Sequence, residues 1–302
     1  MKKLIGLLIV ISYWAGCAVF ITKCGYFSDE QNPEWVDPTA PKPPKPTPTP
    51  PVPPPPAHYR GFIKKPGYGL HPGAPNLLAD RIGELPVKFS WVDAGFGIPV
   101  RNQGPCGSCY SFSSTLNLEF AAKIFLGKDE RLSTQQLVSC DDSSYGCSGG
   151  WFGGDYMVAN GIALESDFPY TATNKKCKQG LKPAEKPISF VNIGDGTNSP
   201  TVKQLKQALL QYGPLSVDMD AWELDNYDSK PLSGNGHNID HMVILVSWND
   251  AEGAWTAMNS WGNDFGDHGY FKIKYGADSF AQDASTVLVK PVGDYTGWTE
   301  TN

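Results

Sequence analysis

Cys109 stands at the predicted start of a helix, in the run Arg101-Asn102-Gln103-Gly104-Pro105-Cys106-Gly107-Ser108-Cys109-Tyr110-Ser111-Phe112, with Gln103 six residues before it. A helix N-terminus carries partial positive charge, which favours thiolate over thiol, and the thiolate is the nucleophilic form. The Gln103 amide can donate a hydrogen bond to an oxygen that becomes charged when such a thiolate attacks a carbonyl. The run itself holds no base. Candidates lie far downstream: His241, in Asp240-His241-Met242-Val243-Ile244-Leu245-Val246, is 132 residues after Cys109, and Asn259, in Met258-Asn259-Ser260-Trp261-Gly262, is 150 after it. A further signal is Tyr145-Gly146-Cys147-Ser148-Gly149-Gly150-Trp151, where two consecutive glycines leave backbone groups bare for an extended peptide to pair with.

With these motifs the chain resembles the papain-like cysteine peptidases, whose signature is Cys-Gly-Ser/Ala-Cys-Trp/Tyr with His and Asn about 130–150 residues downstream. The resemblance covers roughly Leu85 to Pro291. It implies an α+β, papain-like two-lobe fold, with a mainly helical lobe, a β-rich, barrel-like lobe and the active-site groove between them. It implies a cysteine-type endopeptidase in which Cys109 is the nucleophile and His241 the proton carrier, working through a thioester acyl-enzyme. A thiol paired in this way with histidine can have its pKa depressed to about 3–4, so the two form a thiolate–imidazolium pair at neutral pH. Asn259 would hold the imidazole, Trp261 would shield that bond from water, and Gln103 with the backbone N–H of Cys109 would form the oxyanion hole.

On the same resemblance Gly149 and Gly150 line the substrate groove. Trp151, Phe152 and Ile239 wall the pocket for the residue two before the cut, and Asp240 is placed among the substrate-binding residues. Protein or peptide substrates are implied, with no cofactor and no metal, and the enzyme is expected to be a monomer. Three departures stand out. Tyr110 replaces the usual Trp after the nucleophile, Phe265 sits where a second Trp is common, and a third disulfide frequent in plant and animal members has no cysteines here.

The 302 residues carry 40% hydrophobic residues with 9 Trp, 13 Tyr and 14 Phe, enough for a sizeable core. A net charge of −6, with no basic stripe, argues against nucleic acid as a partner. Of the seven cysteines, Cys17 and Cys24 belong to the N-terminal region, and Cys106, Cys109, Cys140, Cys147 and Cys177 to the globular part. Five leaves one over after two pairs, and an odd cysteine in a secreted protein suggests a reactive thiol; four cysteines allow three connectivities, and spacing does not choose between them. A zinc site at Cys106/Cys109 and Cys140/Cys147 is the rival reading. The resemblance implies Cys106–Cys147 and Cys140–Cys177 with Cys109 free, hence an oxidising compartment.

Residues 1–24 read as a signal or membrane-anchor segment: Met1-Lys2-Lys3, then mostly apolar residues from Leu4 to Ile21. It can be cleaved, remain as one short span, or present Cys17 in Ala15-Gly16-Cys17 as a lipoprotein acceptor; membrane attachment by either of the last two routes is the favoured reading, and the protein is placed outside the cytoplasm, secreted or at the cell surface or in the periplasm. Residues 25–57 are a proline-rich linker, whose tract Pro38 to Pro56 should run as polyproline II for roughly 50–60 Å. Residues 58–84 are a short pro-segment or linker. They are far fewer than the helical propeptide of the resembled family, which puts the usual route of latency in question, although a short extended segment could cover the cleft. The peptidase domain is 85–302.

The elements that must position the chemistry are also legible. Helices are predicted at Ser108 to Phe125, stopped by Gly127; at Ser133 to Ser139, with Ser133 and Gln136 as a possible capping box; and at Thr201 to Tyr212, with apolar spacing at Val202, Leu205, Leu209 and Leu210. Strands are predicted at Leu215 to Met219, His241 to Trp248, Ala254 to Asn259 and Tyr270 to Tyr275. Helices first and strands later indicate α+β. Two other functions compete: a catalytically silent papain-fold binding protein at the cell surface, and an acyltransferase built on the same Cys/His pair.

Overall fold

The computed structural model describes residues 60–63, 84–194, 198–236 and 238–295. The expected anchor segment (1–24, with Cys17 and Cys24) and the proline-rich linker (25–57) lie outside the described residues, as does most of 58–84.

Seven antiparallel strands form one sheet: β1 (Lys88–Ser90), β2 (Ser189–Asn192), β3 (Leu215–Met219), β4 (His241–Asn249), β5 (Ala254–Met258), β6 (Tyr270–Lys274) and β7 (Ala284–Leu288), in the order β2-β7-β3-β4-β5-β6, with β1 also on β4. The nine-residue β4 is the axis of the sheet. Its first half pairs with β3 (Met219 opposite His241), its last three residues pair with β1, and β5 covers its other edge. Its run His241-Met242-Val243-Ile244-Leu245-Val246 is buried throughout, so the strand reads as continuously apolar rather than alternating.

Among the described residues four α-helices accompany the sheet: α1 (Cys109–Leu126), α2 (Thr134–Cys140), α3 (Gly154–Asn160) and α4 (Val202–Tyr212). In α1 every residue from Cys109 to Ala122 is buried, which is the pattern of a helix enclosed on all sides. Gly127 ends it in the left-handed conformation at φ 67°, where a residue with a Cβ would be strained. Polar groups of α1 tie it to the sheet. Ser113 Oγ donates to the Val243 carbonyl at 3.0 Å, Asn117 Nδ2 donates to the Pro214 carbonyl at 2.7 Å, and Asn117 Oδ1 accepts from Val287 N at 2.8 Å. On its helical side a buried ion pair joins Arg101 to Glu119, and Arg101 also donates to the Leu132 carbonyl and the Thr134 hydroxyl. The nucleophile candidate therefore sits at the end of a helix clamped from both lobes.

The sequence expectation for capping is half met. Ser133 Oγ accepts from Gln136 N at 3.1 Å, but the Gln136 side chain turns away from Ser133 to accept from Ala163 N and to donate to the Gly161 carbonyl. The full reciprocal box is at α4, between Thr201 and Gln204.

Two disulfides, Cys106–Cys147 and Cys140–Cys177, close loops of 41 and 37 residues and leave Cys109 free and buried. The four paired cysteines thus hold sulfur rather than zinc. Replacing Cys140 and Cys177 together by serine should cost about 2–5 kcal/mol and lower Tm by on the order of 10 °C in calorimetry; an unchanged Tm would show that this bridge does not constrain the unfolded chain.

Candidate active site

Cys109 is the first residue of α1, preceded by a tight turn whose shape is fixed by polar contacts. Tyr170 donates to the Gln103 carbonyl at 2.7 Å and shares a 2.7 Å hydrogen bond with Ser108 Oγ, and Gln103 Nε2 donates to the Cys106 carbonyl at 2.9 Å. The segment carrying Gln103 is stitched to the one carrying Asn259. Gln103 N donates to the Ser260 carbonyl at 2.8 Å, Ser260 Oγ donates to Gln103 Oε1 at 2.6 Å, and Asn102 bridges to Trp261. Residues separated by more than 150 positions in the chain are thereby held as one unit.

His241 opens β4 and is fully buried. Its Nε2 lies 2.8 Å from Asn259 Oδ1, which also accepts from Ser260 N. An amide oxygen only accepts, so Nε2 carries the hydrogen and Nδ1 is the nitrogen available for proton exchange. The Trp261 ring lies 4.9 Å from the imidazole, tilted by 38°, and covers it. Met242, the next residue along β4, packs in one buried apolar cluster with Cys109, which brings the two lobes together at this point.

The groove beside Cys109 is not empty. Residues Arg60 to Ile63 run through it. Gly61 N and Phe62 N both donate to the Asp240 carbonyl at 3.1 and 3.0 Å, Ile63 N donates to the Gly150 carbonyl at 2.8 Å, and Gly150 N donates to the Gly61 carbonyl at 2.7 Å. Phe62 and Gly150 form a parallel bridge. Phe62 is 5% exposed and joins Trp151, Phe152, Met157 and Met242 in one apolar cluster, with Ile239 packed on its edge. Gly61 passes so close to Gly107 that a Cβ there would stand 1.9 Å from the Gly107 carbonyl oxygen. Gly149 faces the same segment, and a Cβ on it would lie 2.7 Å from the Gly61 carbonyl. Behind Gly150 stands the buried Tyr110 ring, whose hydroxyl donates to the Gly146 carbonyl at 3.1 Å; Tyr110 thus fills the place expected of Trp and supports the double-glycine loop. Arg60 binds Asp240 and Asp225 through its guanidinium.

The covered state changes the setting of the thiol. Burial pushes the Cys109 thiol up to about 12 instead of down; backbone groups of Met242, Gly61 and Tyr110 offset part of that, while the Asp240 charge adds to it. The strand lying over the sulfur removes the water that would stabilise a thiolate. Burial also raises the Asp240 carboxyl, against the opposing pull of the Ala221 amide and Arg60.

Cys109, Gly149, Gly150, Trp151, Phe152, Ile239 and Asp240 thus surround residues 60–63, while His241 is paired with Asn259, and Gln103 with the neighbouring Ser260. Sequence reasoning missed Tyr170 and Ser260, which brace Gln103, the occupying run Arg60-Gly61-Phe62-Ile63, and Asp225. A glycine flanked by Arg and Phe a few residues after the proline tract was the available signal for the occupant.

The fold and this groove define a cysteine peptidase. Residues 85–289 match the family described as papain family cysteine protease, and the chain belongs to that family. Cysteine proteinase 1 of Zea mays is 34% identical over 263 residues, covering 76% of this chain and 68% of that one. Cathepsin L 2 of Paramecium tetraurelia is 38% identical over 181 residues, covering 59% of this chain and 55% of that one. Among solved structures, digestive procathepsin L2 from Tenebrio molitor larval midgut superposes with a TM-score of 0.66 at 30% identity, covering 76% of this chain and 78% of that one. The Carica candamarcensis cysteine protease in complex with E-64 gives a TM-score of 0.63 at 30% identity, covering 68% of this chain and all of that one. The two disulfides belong to the chemistry of an extracytoplasmic compartment. Among the described residues no helix is long and apolar enough to cross a membrane.

Proposed function

We propose that the protein is a cysteine endopeptidase whose cleft is held latent by its own residues 60–63. The observation that carries the catalytic half is the 2.8 Å hydrogen bond from His241 Nε2 to Asn259 Oδ1 beside a free cysteine at a helix N-terminus. It fixes the tautomer and leaves Nδ1 to take the proton of Cys109.

Once the cleft is uncovered, water and the helix terminus lower the thiol pKa, and Nδ1 takes the proton. The thiolate attacks the scissile carbonyl. The oxyanion receives hydrogen bonds from the Cys109 backbone N–H and from the Gln103 amide, which carries two hydrogens and directs one to the Cys106 carbonyl. His241 then protonates the leaving amine, and afterwards activates the water that hydrolyses the thioester. Gly149 and Gly150 pair with the substrate backbone, and the pocket of Trp151, Phe152 and Ile239 receives an apolar side chain, as it receives Phe62 now. The intact set of Cys, His, Asn and Gln favours an enzyme over a silent binding protein.

Latency rests on occupancy. Residues 60–63 fill the groove through backbone hydrogen bonds to Asp240 and Gly150 and through Phe62 in the apolar pocket, so a substrate binds only once they leave. In this reading 58–84 is a short pro-segment, 85–302 the peptidase domain, 25–57 a spacer, and 1–24 the attachment of a monomeric enzyme to the outer face of a membrane.

The test is hydrolysis of a fluorogenic peptide library, with products sequenced to locate cuts. Internal cuts are expected; removal of terminal residues only would overturn the endopeptidase reading. His241→Ala should abolish turnover, while Asn259→Ala, which loses one orienting hydrogen bond, should lower kcat/KM by about 10–100-fold. Equal losses at both positions would contradict the supporting role given to Asn259.

A further inference from the structure

The guanidinium of Arg60 marks a place in the groove that the catalytic reading does not use. Its Nη2 lies 2.7 Å from Asp225 Oδ2 and donates to the Ala221 carbonyl at 2.9 Å; its Nη1 lies 3.1 Å from Asp240 Oδ2. Two carboxylates and a carbonyl thus receive one planar fork, the geometry that suits arginine better than lysine. The acceptors are held independently of Arg60. Asp240 Oδ1 accepts from Ala221 N at 3.2 Å, and Asp225 lies in the short helical turn Trp222–Asn226 that Ala221 begins. Asp220, next to that turn, accepts from Trp222 N and Asn238 N and adds a further negative charge behind Asp240.

The position along the groove gives this place a meaning. The occupying strand passes the apolar pocket with Phe62, the sulfur with Gly61, and the acidic place with Arg60. If the apolar pocket takes a substrate residue before the cut, the region on the other side of the sulfur takes the residues after it. Resting on the groove assignment proposed above, we infer that Asp225 and Asp240 form a guanidinium-binding subsite on the leaving-group side of Cys109, selecting substrates with arginine within the first two residues after the scissile bond. Arg60 then holds the latent strand by occupying a substrate subsite.

The test uses the full chain carrying Gly61→Ala, and quenched fluorescent peptides that differ only at those two positions, bearing Arg, Lys, Gln or Leu. The Arg peptide should be cleaved with kcat/KM about tenfold or more above the Gln peptide, with Lys between them. Adding Asp225→Asn should bring the Arg/Gln ratio to about 3 or less with Tm unchanged. Taking each ratio within one variant cancels any change in how firmly residues 60–63 sit. A ratio near one in the parent, or one unmoved by Asp225→Asn, would overturn the subsite while the Gln and Leu peptides are still cut. Cleavage of none of the peptides would overturn the peptidase reading itself, and the subsite with it.

Discussion

Replacing Cys109 by serine is expected to remove peptide hydrolysis, lowering kcat/KM by on the order of 10⁵-fold or more, and to leave Tm within a degree or two. The size of the loss comes from the reaction. Without a thiol that His241 can deprotonate, only binding and the oxyanion donors remain, and in enzymes of this logic those sustain a small residue of the full acceleration. The tolerance of the fold comes from the surroundings of the sulfur, which are backbone groups of Met242, Gly61 and Tyr110. A hydroxyl of similar size can use the same partners, so the buried position (0% exposed) gains no unpaired polar atom. Turnover by the purified Cys109→Ser chain at more than a few per cent of the parent rate would remove Cys109 from the reaction.

How far this was visible in the sequence depends on the range of the interaction that decides each feature. β4 was legible because a short unbroken apolar run from Met242 to Val246, rich in β-branched residues, reads as a strand buried on both faces, and α1 because Gly127 stops a long helical run. The short β1 was not: three residues, Lys88–Ser90, form a strand because Ser247–Asn249 offer an edge, a fact held at the far end of the chain. The same holds for β2, which pairs with β7, and for α3, whose seven residues begin at glycine and carry little helical signal of their own. Gln136 looked like a capping partner and instead supports Gly161 and Ala163, because tertiary acceptors outcompete the local one. At the site, residue types and spacing marked Cys109, His241, Asn259 and Gln103. The protonation state of Cys109 was beyond reach, since it depends on a strand some 50 residues upstream covering the sulfur. Asp225 was equally silent, being one of many acidic residues until Arg60 is placed against it, 165 positions away.

Withdrawing that strand should have the largest activating effect available by a single substitution. Gly61→Ala puts a methyl group 1.9 Å from the Gly107 carbonyl oxygen, a backbone atom that cannot step aside, so residues 60–63 must leave the groove. An occupant joined to the enzyme competes with substrate at a high effective concentration, so its removal lowers apparent KM more than it changes kcat. A gain of about 10–100-fold in rate is expected with peptide well below KM, and much less at saturation. Phe62→Ala should act in the same direction by removing the apolar anchor, without a steric clash, which separates release of the strand from damage to the Gly107 turn. The thiol supplies a second readout. In the parent chain burial raises the Cys109 thiol, so alkylation by iodoacetamide should be slow at neutral pH and climb with rising pH. In Gly61→Ala the sulfur regains water, the helix terminus and the His241 imidazole, and alkylation should be fast at neutral pH and nearly flat above it. Equal alkylation profiles in the two chains, together with unchanged low-substrate rates, would mean that residues 60–63 neither protonate nor block the nucleophile.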